Sequence, residues 1–183
     1  MQVASQSVGP RQARHMNWTE FSQAAPELAQ LFRERLEATG LALIGTIRKD
    51  GTPRISPLEA GVFEEHLLLG MMWQSKKAFD LMRDPRCLVH TVVSNKDGSE
   101  GEVKLRGRTV DVTDKGLRER SAQHSFDTTG WRPEEPYHLF WLDIEDAAYI
   151  KFSENGDQTV KTWRAGAREQ SRVRKWTGSR LED

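Results

Sequence analysis

The sequence predicts a mainly β protein with flanking helices, in which six to seven antiparallel strands close into a small barrel. Three observations carry this prediction. Short apolar runs separated by turn residues recur from residue 41 to residue 164. Hairpin-length connections dominate between them, which joins neighbouring strands antiparallel. No glycine-rich phosphate loop is present, and the order of elements is not that of a dinucleotide-binding Rossmann fold. Closure into a barrel hides the edges that such a sheet would otherwise expose.

The elements follow in order. Pro26 suits the first turn of a helix, and Leu28, Leu31, Phe32 and Leu36 then form one apolar stripe that stops at Gly40. Leu41 to Ile47 reads as a buried strand, turned by Asp50-Gly51. Pro53 to Leu58 is the returning strand, and its two prolines place it at a sheet edge or rim. Val62-Phe63 and His66 to Met72 bracket Glu64-Glu65 as a further hairpin. A second helix runs from Ser75, a plausible N-cap, to Met82, with Ala78, Phe79 and Met82 on one face, and Asp84-Pro85 ends it. Cys87 to Val93 is a strand and 95–101 a turn-rich loop. In the strand Glu102 to Asp111, Val103 and Leu105 have the opposite parity to Val110 and Val112, so a bulge is expected near Gly107. A third helix, Lys115 to Ser125, precedes strands at Leu139 to Ile150 and Thr159 to Arg164.

The length of 183 residues suits one domain with tails: an unstructured extension over 1–16, the folded domain over 17–164 and a polar tail over 165–183. The 27 Lys and Arg balance 27 Asp and Glu, which argues against a general nucleic-acid binder. No stretch approaches the roughly 20 apolar residues of a membrane span, and residues 1–15 lack the apolar core of a secretory signal. One cysteine, Cys87, excludes an intramolecular disulfide and any multi-cysteine metal site, so a reducing cytoplasm is the expected location.

The five histidines, at 15, 66, 90, 124 and 138, lack metal-ligand spacing, and His90 reads as a satisfied core residue. Ser56 and Ser75 have no nucleophile elbow, and Cys87 reads as packing. The chemistry that stands out is basic. Arg54 lies on the second strand, and Ser75-Lys76-Lys77 opens a helix whose N-terminus favours an anion. The plain alternative is a solvated lysine pair. Lys104, Arg106 and Arg108 alternate along one strand, either as a solvent-facing row or as a second anion-binding strip. Trp73, Trp131, Trp141 and Trp163 lie near strand ends or loops, where an indole covers a planar ligand or packs a core or dimer contact.

From Leu41 to Arg164 these motifs, in this order, resemble the pyridoxamine 5′-phosphate oxidase-like family of FMN-binding split barrels. The most specific piece is the helix from Ser75-Lys76-Lys77 to Asp84-Pro85, flanked by the 53–57 strand, the 103–107 strand and the closing 160–163 strand. The resemblance implies a split β-barrel homodimer with flavin at the subunit interface and a small-molecule substrate. It implies that Arg54 and Lys77 hold the FMN phosphate, with Lys76 and Ser75 beside them. The backbone of Ile55, Ser56 and Pro57 would run along the isoalloxazine ring. Met71, Met72 and Trp73 would shape the ring pocket, and Trp163 or Arg164 would approach from the partner subunit. Met71, followed by Met72, stands where relatives commonly carry a hydroxyl residue, and Glu102 where a glutamine often contacts the cofactor. The implied activity is a flavin-dependent oxidoreductase moving hydride between cofactor and a small organic substrate. True pyridoxamine phosphate oxidase activity is not implied. Two other cofactors remain open, the deazaflavin coenzyme F-420, whose acidic tail would suit the 104–108 strip, and haem; the alternative function is a non-catalytic barrel that binds or sequesters haem or flavin.

Overall fold

The computed structural model describes residues 15–183, so all but the last two residues of the extension expected over 1–16 lie outside the described residues. The chain forms, in order, α1 (Trp18–Ala24), α2 (Pro26–Thr39), β1 (Ala42–Ile47), β2 (Pro53–Phe63), β3 (His66–Met72), α3 (Lys76–Arg83), β4 (Arg86–Thr91), β5 (Glu102–Asp111), α4 (Lys115–Thr129), β6 (Tyr137–Phe152), β7 (Gln158–Arg164), β8 (Gln170–Trp176) and β9 (Leu181–Glu182). All pairings are antiparallel, and β3 pairs with β6 as well as β2, which closes β1, β2, β3, β6, β5 and β4 into a six-stranded barrel. No helix among the described residues is long and apolar enough to cross a membrane.

The barrel interior and the helices on it make one core. Ile44, Leu58, Leu67, Leu69, Leu105, Leu142 and Ile144 point inward, and Trp18, Phe21, Leu28 and Phe32 cover them from α1 and α2. α1 was not anticipated, although Asn17 and Glu20 form a reciprocal capping box that starts it. Gly40, in the left-handed region at φ 68°, ends α2 as its sequence suggested.

Several expectations need correction. β2 runs unbroken through Ala60 and Gly61, because β3 supports its second half while β1 supports the first. β5 keeps its odd residues buried from Val103 to Thr109. The register does shift at Arg106/Gly107, but Arg106 pairs with Asp146 and Gly107 with Ile144, so the extra residue is Glu145 on β6. In α3 the buried residues are Ala78, Asp80 and Leu81, whereas Phe79 and Met82 stand exposed. His90 lies half-buried on the outer wall of β4, with Nδ1 against Thr91 O and Nε2 facing Glu102.

The ends also differ from expectation. His15 Nδ1 and the Met16 amide bond the Asp143 carboxylate at 2.7 Å each, so residues 15 and 16 belong to the fold. The expected polar tail carries β8, which pairs with β7 from Gln170 to Arg174, followed by the short β9. These strands extend the sheet beyond the barrel from β7.

Candidate anion-binding site at the start of α3

Because β3 pairs with β2 only from Glu59 onward, residues 53–58 of β2 have a neighbour on one side alone. That explains the two prolines, which lack the N–H a doubly paired strand would use. Pro57 turns its carbonyl to the open side, where Lys77 Nζ donates to it. Backbone groups alternate in direction along a strand, so Pro53 and Ile55 also face that open edge.

α3 lies across the mouth of the barrel beside this edge. Its buried acid Asp80 accepts from the Thr46 hydroxyl at 3.0 Å and from Arg54 Nε at 2.7 Å, while Arg83 approaches its other oxygen at 3.4 Å. Burial pushes the Asp80 carboxyl up, but the bonds from Arg54 and Thr46, the Arg54 charge and the bond from Arg83 outweigh it and hold the group below its ordinary value. Asp80 is therefore a carboxylate in the folded chain.

At the N-terminus of α3, Arg54, Ser56, Met72, Ser75, Lys76 and Lys77 surround a cavity of about 230 Å³. Burial lowers the Lys77 ammonium from its ordinary value, opposed by the charge of Glu59. Ser75 occupies the N-cap position with extended backbone, yet its side chain makes no cap bond. Its Oγ is buried and has no hydrogen-bond partner. The first turn of α3 also contains no acidic residue. An uncapped helix start, a buried hydroxyl without a protein partner and three cations around one cavity make up a donor set that suits an anion. The residues present thus fit a phosphate group.

The structure brings Arg54, Ser56, Met72, Ser75, Lys76 and Lys77 together, with Ile55 and Pro57 on the adjoining open edge. It does not bring the other expected residues there. Met71 is buried in the core, because it has the inward parity of Leu67 and Leu69. Trp163 is also a core residue of its own chain, edge-on to Phe21 at 5.2 Å, and does not line the cavity. Glu102 sits on the outer wall, paired with Lys104 at 2.5 Å and facing His90. The second basic strip is neutralised: Lys104 pairs with Glu102, Arg106 with Glu145 and Asp146, and Arg108 with Glu145.

Three contributors escaped the sequence reading. Thr46, Asp80 and Arg83 form the support under Arg54, and only an acid in an otherwise apolar and basic helix hinted at it. A larger groove of about 1040 Å³ lies between α4, the 131–136 loop and the β3–α3 turn. There Trp73 stacks on His138 at 4.6 Å, with Met82 and Tyr137 on the same wall. Its arginines are spent, since Arg118 binds Glu135 and the carbonyls of Val112 and Tyr137, and Arg132 binds Glu119.

Solved structures share this architecture at low identity. A pyridoxamine 5′-phosphate oxidase-related, FMN-binding protein from Nostoc punctiforme superposes with a TM-score of 0.59 at 13% identity, covering 82% of this chain and 96% of that one. PhzG from Burkholderia lata, in complex with tetrahydrophenazine-1-carboxylic acid, gives 0.57 at 10%, covering 82% and 92%. A heme binding protein from Mycobacterium smegmatis gives 0.55 at 16%, covering 80% of this chain but 57% of that one. No curated protein sequence matches the chain. The family profile described as pyridoxamine 5′-phosphate oxidase matches residues 28–151. That match spans more than half of the chain and contains every residue of the anion cavity, and by it this protein belongs to the pyridoxamine 5′-phosphate oxidase family of split barrels.

Proposed function

We propose that the protein is an FMN-dependent oxidoreductase that acts as a homodimer on a small organic substrate. The observation that carries the reading is the uncapped start of α3, where Ser75 Oγ lacks a partner and Arg54, Lys76 and Lys77 line one cavity. These residues would hold the terminal phosphate of the cofactor, and the open edge of β2 at Ile55 would offer backbone groups to its ring, beside the Pro57 carbonyl that Lys77 holds. Bound flavin supplies the redox chemistry, and the chain's own part is to bind, orient and shield. Lys77 joins the two tasks, since one ammonium lines the phosphate cavity and ties down the Pro57 carbonyl.

The neutralised row at Lys104, Arg106 and Arg108 favours FMN over the deazaflavin coenzyme, whose acidic tail would seek unpaired cations. The dimer reading draws on the outer wall of β1, β2 and β4, where Ile55 is 73% exposed and Leu88 37% exposed beside half-buried Leu43 and Ile47. A second copy would cover this apolar face and bring the two cofactor sites to the interface.

The test is the visible spectrum of the full chain as purified, followed by denaturation and chromatography of whatever is released. The expected result is the two-band flavin spectrum and release of FMN. A single deazaflavin band, a haem Soret band, or a colourless protein that ignores added FMN would overturn the reading.

A further inference from the structure

Asp80 is the only acidic side chain among the buried ones of the described residues, and it lies directly beneath the anion cavity. A carboxylate there opposes a second anion unless its charge is used for something else. Its bonds say what that use is. Arg54 donates to it through Nε alone, at 2.7 Å, which leaves both Nη groups for another partner. A guanidinium is planar and rigid, so fixing Nε fixes where the Nη edge points. Thr46 on β1 holds the same carboxylate oxygen at 3.0 Å, and Arg83 braces the other one, so the acid itself has little freedom.

We infer that Asp80 is a positioning residue for the anion clamp, holding Arg54 by Nε so that its Nη edge is presented to the phosphate in the cavity. The inference rests on the flavin reading above and adds a residue that touches no cofactor atom.

The experiment is a double-mutant cycle on the full chain, with dissociation constants for FMN and for riboflavin, which lacks the phosphate, read by flavin fluorescence. Removing a negative charge near an anion site would by itself tighten FMN, so the sign discriminates. Positioning predicts that Asp80→Asn weakens FMN by roughly tenfold or more, the scale of a charge-assisted hydrogen bond. Riboflavin affinity should stay within about twofold, and in an Arg54→Ala background Asp80→Asn should weaken FMN no further, since only the relief of the acid's charge is left once the client is gone. Tighter or unchanged FMN binding, an equal loss for riboflavin, or losses that multiply in the double variant would each overturn the inference. Thr46→Val removes only the hydroxyl under Asp80 and keeps the inward volume. It should weaken FMN by about two- to fivefold with riboflavin unaffected, on the scale of a neutral hydrogen bond, and no change would count against the network if Asp80→Asn fails to fold. A wild-type chain that binds FMN no better than riboflavin would instead refute the phosphate site itself, and the inference with it.

Discussion

Gly107→Ala offers a severe test of how β5 and β6 are joined. A Cβ at Gly107 would lie 2.0 Å from the Asp143 carbonyl oxygen and 2.9 Å from its carbon, inside the 3.0 Å that real Cβ contacts respect. Both atoms belong to backbone, and β6 at this point carries the bulge that lets one long strand serve β3, β5 and β7. Relief therefore requires moving a central strand rather than swinging a side chain. The cost should reach the top of the overpacking range, about 3 kcal/mol or more. At roughly 2–4 °C per kcal/mol for a chain of this size, Tm should fall by about 6–12 °C. Gly61→Ala is the matched control, because Gly61 is also a strand glycine and a Cβ there meets nothing within 4 Å. It should change stability by less than about 1 kcal/mol. Urea unfolding followed by circular dichroism, with thermal melts, measures both. Equal effects at the two glycines, or a Gly107→Ala variant that melts with the wild type, would refute the close approach.

Further outcomes follow from the same structure. Lys77→Ala should weaken FMN by about ten- to a hundredfold in a fluorescence titration, following the strength of a charge-assisted bond, and an unchanged dissociation constant would remove Lys77 from the site. Burial, with a smaller contribution from the Glu145 charge, pushes the Cys87 thiol up to about 12, so the folded chain should resist alkylation at pH 8 and react only once unfolded. Backbone bonds from Asn95 and Ser94, with Arg35 nearby, hold the Glu100 carboxyl at about 2 against an ordinary 4.5. The stability it supplies is thus complete above pH 4.5 and is lost as pH falls toward 2, and Glu100→Gln should flatten that part of the acid limb. Ile55→Asp places a charge on the exposed wall and should convert a dimer to a monomer in light scattering, whereas a monomeric wild type would remove the dimer reading.

How far the sequence carried is seen residue by residue. The barrel strands were legible because their apolar runs are short and their turns chemically marked, as at Asp50-Gly51. Lys76 and Lys77 were legible because cations in a first turn oppose the helix dipole, with a solvated pair as the plain alternative, and the resemblance joined Arg54 and Ser75 to them. α1 passed unread despite its Asn17–Glu20 capping box, since seven residues show little periodicity. β8 passed unread because its pairing with β7 buries almost nothing, so no apolar alternation betrays it. Parity misled at β5, where Val110 and Val112 suggested a slip in that strand while the spare residue, Glu145, sits on its partner. Met71 was assigned to a cofactor through resemblance, and Trp163 through resemblance and its place near a strand end, whereas side-chain direction places both in the core. Asp80 was invisible because a buried acid is recognisable only through its partners, which come from β1 and β2, more than twenty residues away in sequence.

The ratio of riboflavin to FMN dissociation constants for the wild-type chain at moderate salt reports the phosphate's share of the binding, with the ring common to both ligands. Arg54, Lys76, Lys77, the unpartnered Ser75 hydroxyl and the start of α3 predict a ratio of about one hundred or more, equivalent to two charge-assisted bonds at roughly tenfold each. A ratio near one would mean that these groups meet water rather than a phosphate.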